Sequence, residues 1–222
     1  MIHFPRETLA LELVAALRGQ AVFGDAHNGL FLAAPRRTGK STFLQADLKP
    51  ALEKVGVVVT YVDLWADPRR DPGSLISEAI ARTLSSHLGL VSRAARVSGL
   101  ESVTIAGALK IDLSRIGKVD GITLPEALRA LHDAAKSPVA LIVDEAQQLT
   151  PHEAKTLVTR MGKGSKIILI GDLGQIDNPY VDAHTNGLVY ARNRLQGQAF
   201  TAHVNLFKGE RSEMAEVAAN LM

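Results

Sequence analysis

The 222-residue sequence predicts an α/β protein built on a mainly parallel, five-stranded sheet. Three observations predict it. Short apolar runs alternate with amphipathic stretches along the chain. The middle runs are nearly unbroken Val, Ile and Leu, as in strands covered on both faces. Gly, Pro and cap residues separate the two kinds of segment at most boundaries. Hydrophobic residues make up 46% and charged residues 22%, which suits a folded domain and argues against disorder. Aromatics are only 5%, so the core must be built from Leu, Ile, Val and Ala.

The elements follow in order. Residues 6–18 carry Leu9, Leu13, Val14 and Leu17 on one helical stripe and stop at Gly19. The first strand is expected at Leu30–Ala34, the second at Val57–Asp63. Between them a helix begins near Gly39, and Pro50 is expected to end or kink it. Residues 74–88 form a helix through Leu75, Ile76, Ala79, Ile80, Leu84 and Leu88, closed by Gly89. Residues 91–122 are the weakest stretch. Val103 and Ile105, then Leu109, Ile111 and Leu113, alternate with polar residues and suggest a small hairpin insertion around Gly107.

Thr123-Leu-Pro-Glu126 reads as a capping box opening a helix through Lys136. The third strand is Val139–Asp144. Thr150-Pro-His-Glu153 repeats the capping grammar, with Leu157, Val158 and Met161 expected to be buried and Gly162 as the stop. The fourth strand is Ile167–Gly171, the fifth Thr201–Phe207, and a last helix spans about 210–221. Without repeats or an obvious linker, residues 1–222 read as a single domain.

Absence of cysteine excludes disulfides, thiol catalysis and Cys-ligated metals, and fits a reducing, cytoplasmic compartment. No apolar run approaches the ~20 residues that span a bilayer, so no membrane association is expected. The formal charge of +2 is spread without a basic tail, which gives no nucleic-acid footprint by itself. The seven histidines lack metal-ligand spacing and read as surface or capping residues. Lys155, Arg160, Lys163 and Lys166 cluster around one helix; a solvated face is the default reading and phosphate contact the alternative. Trp65 reads as a packing residue, with stacking on a base as the alternative.

The strongest chemical signal is Leu30-Phe-Leu-Ala-Ala-Pro-Arg-Arg-Thr-Gly-Lys-Ser-Thr42. An apolar strand runs into a loop, and Gly39-Lys40-Ser41 opens a helix. This is the phosphate-loop pattern G-x-x-x-x-G-K-[ST], with Ala34 in place of the first glycine. Backbone N–H groups at the helix start point at phosphate oxygens, where the helix dipole is positive. Ala34, Pro35, Arg36, Arg37, Thr38, Gly39, Lys40, Ser41 and Thr42 are the candidate cradle. Lys40 would reach the β- and γ-phosphates, and Ser41 would offer its hydroxyl to Mg²⁺. For Arg36 and Arg37, a solvated pair and contacts to phosphate or a neighbouring subunit remain alternatives.

Val139-Ala-Leu-Ile-Val-Asp-Glu145 is an apolar strand ending in two acids. Asp144 can join the Mg²⁺ shell, and Glu145 can orient an attacking water. The next strand ends Gly171-Asp-Leu-Gly-Gln175. Gln175 can hydrogen-bond the γ-phosphate or the water, and Asp172 can orient Gln175 or Lys40. Arg211 can neutralise charge in phosphoryl transfer or simply cap the last helix; Arg192 and Arg194 are weaker candidates for that role.

Two resemblances cover different parts of the chain. Up to about residue 145, Ala34-Pro-Arg-Arg-Thr-Gly-Lys-Ser-Thr42 with Asp144-Glu145 resembles AAA-type ATPases. From about Val143, the chain is similar to the C-terminal part of PhoH-like ATPases through Val143-Asp-Glu-Ala-Gln-Gln-Leu-Thr150, Gly171-Asp-Leu-Gly-Gln-Ile-Asp177, Asn186-Gly187-Leu188 and Gly209-Glu-Arg-Ser212. The Gly-Asp-x-x-Gln string also resembles motif III of superfamily 1 helicases. The phosphate loop departs from the form usual in PhoH-like proteins, which suggests a hybrid with a family junction near 144–147.

Both resemblances imply a P-loop NTPase three-layer α/β/α sandwich with sheet order 5-1-4-3-2. They imply ATP and Mg²⁺ as ligands, ATP hydrolysis as the activity, and a homo-oligomer in which an arginine acts in trans. A nucleotide-binding switch with little turnover, a small-molecule kinase and an RNA-linked ATPase are the alternatives.

Overall fold

The computed structural model describes residues 5–20, 26–35, 38–92, 102–105, 109–112 and 124–205. Arg36, Arg37, Thr123, Arg211 and the expected helix at 210–221 lie outside them.

The strands fall where unbroken apolar runs predict them, within a residue at the ends that are described. They are β1 (Gly29–Ala33), β2 (Val58–Asp63), β5 (Val139–Asp144), β6 (Lys166–Gly171) and β7 (Thr201–Asn205), with the hairpin β3 (Ser102–Ile105) and β4 (Leu109–Asp112) inserted between β2 and β5. The five-stranded sheet is parallel throughout and ordered β2-β5-β6-β1-β7. Counting sheet strands in chain order, this is 5-1-4-3-2, the P-loop NTPase order. The predicted hairpin is present as an antiparallel pair in the residues described there.

Strand alternation sends successive side chains into two separate cores. Phe31, Val62, Leu141, Val143, Ile167 and Leu169 pack with the helices α4 (Pro72–Ser92), α5 (Leu124–Ala135), α6 (Pro151–Arg160) and α7 (Gly187–Leu195). Leu30, Leu32, Val59, Ala140, Ile142, Ile168 and Ile170 pack with α1 (Glu7–Leu17) and with the helical segment after β1. The fold is therefore three layers. Each fully buried Leu or Ile in it contributes roughly 1.5–3 kcal/mol.

Some local results differ from expectation. Helix α4 does not stop at Gly89 but runs on to Ser92, because a single glycine lowers helix stability without ending a helix. The helix after β1 continues through Pro50 as α2 (Lys40–Phe43), a π turn (Leu44–Leu48) and α3 (Lys49–Lys54). Proline lacks the N–H that would bond residue 46, and its ring crowds that carbonyl; the wider π turn just before it accommodates both. Helix α7 has no counterpart among the elements expected from sequence; Asn186 caps it by accepting from the Val189 amide at 3.0 Å.

The capping box at α6 forms as expected: Glu153 N donates to Thr150 Oγ1 at 3.3 Å and Thr150 N to Glu153 Oε2 at 2.7 Å. On α6, Leu157 is buried while Val158 and Met161 are only partly so. Lys166 does not join the exposed cluster of Lys155, Arg160 and Lys163: it is buried on β6 and donates to the His27 carbonyl at 2.9 Å. His203 is also not a surface residue, because its ring stacks on Phe31 with centroids 5.1 Å apart.

Candidate active site

Parallel strands put all their carboxyl ends at one edge of the sheet, where α/β proteins bind ligands. β1, β5 and β6 are consecutive neighbours but distant in sequence, so three separate loops meet there. Ala34 is buried at the end of β1, and its amide donates to the Gly171 carbonyl at 3.0 Å, tying the loop after β1 to the end of β6.

The loop closes on itself before the helix begins. Thr38 is buried and its hydroxyl donates to the Pro35 carbonyl at 2.9 Å. Gly39 takes a left-handed conformation (φ 73°) at the cap of α2, where a side chain would be strained. The amides that follow open a helix, the position that favours an anion. Arg6, a residue the sequence reading passed over, donates from Nη2 to the Thr38 carbonyl at 2.7 Å, while its amide donates to the Asp47 carboxylate at 3.2 Å.

Lys40 Nζ lies 2.7 Å from Glu145 Oε1, and both side chains are largely shielded, at 7% and 16% exposure. Asp144 is fully buried. Its Oδ1 accepts from the Glu145 amide at 3.0 Å and its Oδ2 from the Tyr61 hydroxyl at 3.0 Å, with the Ser41 side chain beside it. Burial holds the Asp144 carboxyl above the usual aspartate range, and the Glu145 charge adds to this; Ser41, Tyr61 and Lys40 act the other way. Tyr61 is pushed up in turn, first by burial and then by the Asp144 charge. Ser41 and Asp144 thus form a juxtaposed pair of hard oxygen donors, a set that fits Mg²⁺.

Glu145 adopts φ 59°, ψ 37°, rare for a side chain of its size and costing of order 1–3 kcal/mol. The bend starts a short 3₁₀ turn (Ala146–Gln148) whose two glutamines are buried. Gln147 Nε2 donates to Glu145 Oε2 at 2.6 Å and to the Gln175 carbonyl at 2.9 Å, and Gln147 Oε1 accepts from the Asp172 amide at 3.2 Å. Gln148 Oε1 accepts from the Asp177 and Asn178 amides at 3.2 and 2.9 Å. Both glutamines enter the sequence reading only within the Val143–Thr150 string and without a role, because an amide two residues after a pair of acids carries no sign of its long-range partners.

A cavity of about 310 Å³ is lined by Gly39, Lys40, Ser41, Thr42, Asp63, Trp65, Glu145, Gln175 and Asp177. It brings together Gly39–Thr42, Glu145 and Gln175 of the expected set. The lining does not include Ala34, Pro35 or Thr38, which shape the loop behind it, nor Asp144, which is buried beside Glu145. Asp172 lies outside the lining too; its carboxylate accepts from the Gly174 amide at 2.9 Å and its carbonyl from the Gln175 amide at 3.1 Å, so it shapes the turn carrying Gln175. Trp65, expected as a packing residue, is 40% exposed at the cavity rim. Among the described residues, no helix is long and apolar enough to cross a membrane.

The chain can be compared with known proteins on this basis. Residues 129–220 match the family described as PhoH-like protein. Protein PhoH2 of Bacillus subtilis is 47% identical over 116 residues, covering 52% of this chain and 25% of that protein. Protein PhoH2 of Mycolicibacterium smegmatis is 32% identical over 189 residues, covering 83% of this chain and 40% of that protein. A match of 189 residues necessarily runs across positions 144–147. Among solved structures, the Aeropyrum pernix ORC1 protein in complex with DNA gives a TM-score of 0.46 at 15% identity, covering 91% of this chain and 45% of that one. The chain spans a quarter to two fifths of the length of these two curated relatives.

Proposed function

We propose that this chain, a P-loop NTPase fold that is PhoH-like over residues 129–220, binds ATP with Mg²⁺ and hydrolyses it. The observation that carries the proposal is the 2.7 Å contact of Lys40 with Glu145 beside the Ser41–Asp144 pair. Lys40, at a helix N-terminus, and Glu145 line one cavity, and the metal-type carboxylate Asp144 lies buried beside them; this is the kind of set that phosphoryl transfer to water uses.

The Gly39–Thr42 amides and Lys40 would hold the phosphates. Ser41 and Asp144 would hold Mg²⁺, which when bound neutralises phosphate charge. On nucleotide binding, Lys40 would exchange its Glu145 partner for phosphate oxygens. Glu145 Oε1 would then be released to accept a hydrogen bond from water and orient it for attack. Gln175, on the turn that Asp172 shapes, would contact the γ-phosphate. Arg211 would act on the same charge, in cis or from a second copy in a homo-oligomer.

Steady-state ATP turnover of the wild type, Lys40→Ala and Glu145→Gln tests this. Turnover should fall at least 100-fold in both variants, with ATP binding lost in Lys40→Ala and retained in Glu145→Gln. An unchanged rate in Glu145→Gln would overturn the catalytic role of Glu145, and a wild type that binds ATP without turning it over would be the switch reading.

A second reading, an RNA-linked ATPase, is favoured by a groove of about 420 Å³ beside the cavity. It shares Trp65 and Asp177 with the cavity and includes Arg69 and the 86%-exposed Tyr180. Exposed rings beside a cation suit stacking on unpaired bases. Single-stranded RNA should then stimulate turnover, with steep salt dependence; no stimulation at low salt counts against it.

A further inference from the structure

We infer that Gln147 is a positioning residue that ties the orientation of Glu145 to the turn after β6; this rests on the ATP-hydrolysis reading. The Gln147 side chain is fully buried and uses both ends of its amide. One Nε2 hydrogen goes to Glu145 Oε2 at 2.6 Å and the other to the Gln175 carbonyl at 2.9 Å, while Oε1 receives the Asp172 amide at 3.2 Å. One planar group therefore joins the carboxylate to both ends of the segment 172–175. The Gln175 side chain of that segment lines the cavity.

Packing holds the amide in this place. A Cβ added at Gly171 would collide with the Gln147 amide oxygen and would sit 3.1 Å from the Gln147 backbone nitrogen. Gly171 thus makes room for the link. The two Glu145 oxygens have separate partners: Oε1 faces Lys40 and Oε2 faces Gln147. When Lys40 turns to phosphate, the Gln147 bond is the one that still fixes the carboxylate among the described residues. Any shift of Gln175 toward the γ-phosphate moves the carbonyl that Gln147 holds, and so turns Glu145.

Two variants test the link. Gln147→Glu keeps the shape and the acceptor for Asp172 but sets an acceptor against Glu145 and the Gln175 carbonyl. Gln147→Met keeps the length and removes every hydrogen bond. Kinetics, equilibrium binding of a fluorescent ATP analogue with Mg²⁺, and thermal melting are measured for each. The expected result is a kcat at least tenfold lower in both, with KM and analogue affinity within threefold of wild type. A kcat within twofold of wild type in a folded variant overturns the inference. So does a loss explained by affinity or by melting alone.

A nucleotide-free arm separates this outcome from failure of the ATP reading. Amide hydrogen exchange across residues 172–175 is compared in wild type, Glu145→Ala and Gln147→Glu. If Glu145 and the turn are linked, both variants exchange there at least threefold faster while α5 and β5 stay protected. Unchanged exchange in Glu145→Ala overturns the link whether or not the protein turns over ATP. Absence of turnover in wild type, by contrast, rejects the ATP reading alone.

Discussion

Tyr61 on β2 donates its hydroxyl to Asp144 Oδ2 on the neighbouring strand β5 at 3.0 Å. The bond occupies one side of a fully buried carboxylate that also meets Ser41. It fixes the rotation of Asp144 before any cation arrives. Outer partners of this kind tune metal affinity by 10–100-fold. Tyr61→Phe should therefore raise the Mg²⁺ concentration needed for half-maximal nucleotide binding about tenfold. Binding of nucleotide without Mg²⁺ should change little. A Mg²⁺ titration monitored by a fluorescent nucleotide checks this, and equal midpoints in the two proteins would show that Tyr61 only packs.

Asp144 pays for its position in stability. Its carboxyl is held above the ordinary value, so the folded protein binds a proton more readily than the unfolded chain does. Stability from this group is present at acid pH below the unfolded value. It is lost as pH rises through the raised folded value. At neutral pH without Mg²⁺ the charge is a net cost, and Asp144→Asn should melt higher than wild type. The gain is about 2–4 °C for each kcal/mol recovered in a domain of this size. The gap should shrink as pH is lowered toward 4. Mg²⁺ with nucleotide should raise the wild-type melting temperature and leave the variant where it is, because a ligand stabilises only the state that binds it. A variant that melts below wild type without Mg²⁺ contradicts the argument.

Much of the sheet and part of the site were legible in sequence for a physical reason. Strands covered on both faces need no polar alternation, so Val139–Asp144 and Ile167–Gly171 read as unbroken apolar runs, and the polar residues that end them mark the loop edge. Lys40, Ser41, Asp144, Glu145 and Gln175 all sit no more than eight residues past the end of such a strand, where local spacing predicts position. Tyr61, Gln147 and Arg6 were not legible. Tyr61 reaches Asp144 through the lateral pairing of β2 with β5, and Arg6 reaches Thr38 across 32 residues of chain. Gln147 acts through residues 25 and 28 positions away. No local pattern encodes those distances.

Gly187 carries a packing requirement that the sequence alone does not show. It follows the cap Asn186 and donates its amide to the Leu149 carbonyl at 2.6 Å. A Cβ there would lie 2.7 Å from Leu149 Cβ, 2.8 Å from the Thr150 carbonyl oxygen and 2.9 Å from Ala154 Cβ. All three atoms are rigidly placed by backbone, so α7 would have to move away from α6. Gly187→Ala should cost about 1–3 kcal/mol, the usual range for overpacking, and outweigh the helix propensity gained from alanine. Chemical denaturation measures it. A stabilised variant would mean that α7 slides freely on α6.

His203 gives the fold an acid-side weakness of opposite sign to Asp144. It pairs with Phe31 across β7 and β1, and the two rings stack at 5.1 Å with 14° between their planes. Burial lowers its pKa below the ordinary 6.5, and the nearby Arg192 charge acts in the same direction, partly offset by the Leu195 backbone. The unfolded chain therefore takes up the proton first as pH falls. Stability from neutral His203 is complete above about 6.5 and drains away below it, down to the depressed folded value. His203→Phe keeps an aromatic ring against Phe31 and cannot titrate. Between pH 7 and pH 5, wild type should lose more melting temperature than this variant, by a few degrees, and the two should run parallel above pH 7.5. Parallel curves at every pH would assign the acid sensitivity to other groups.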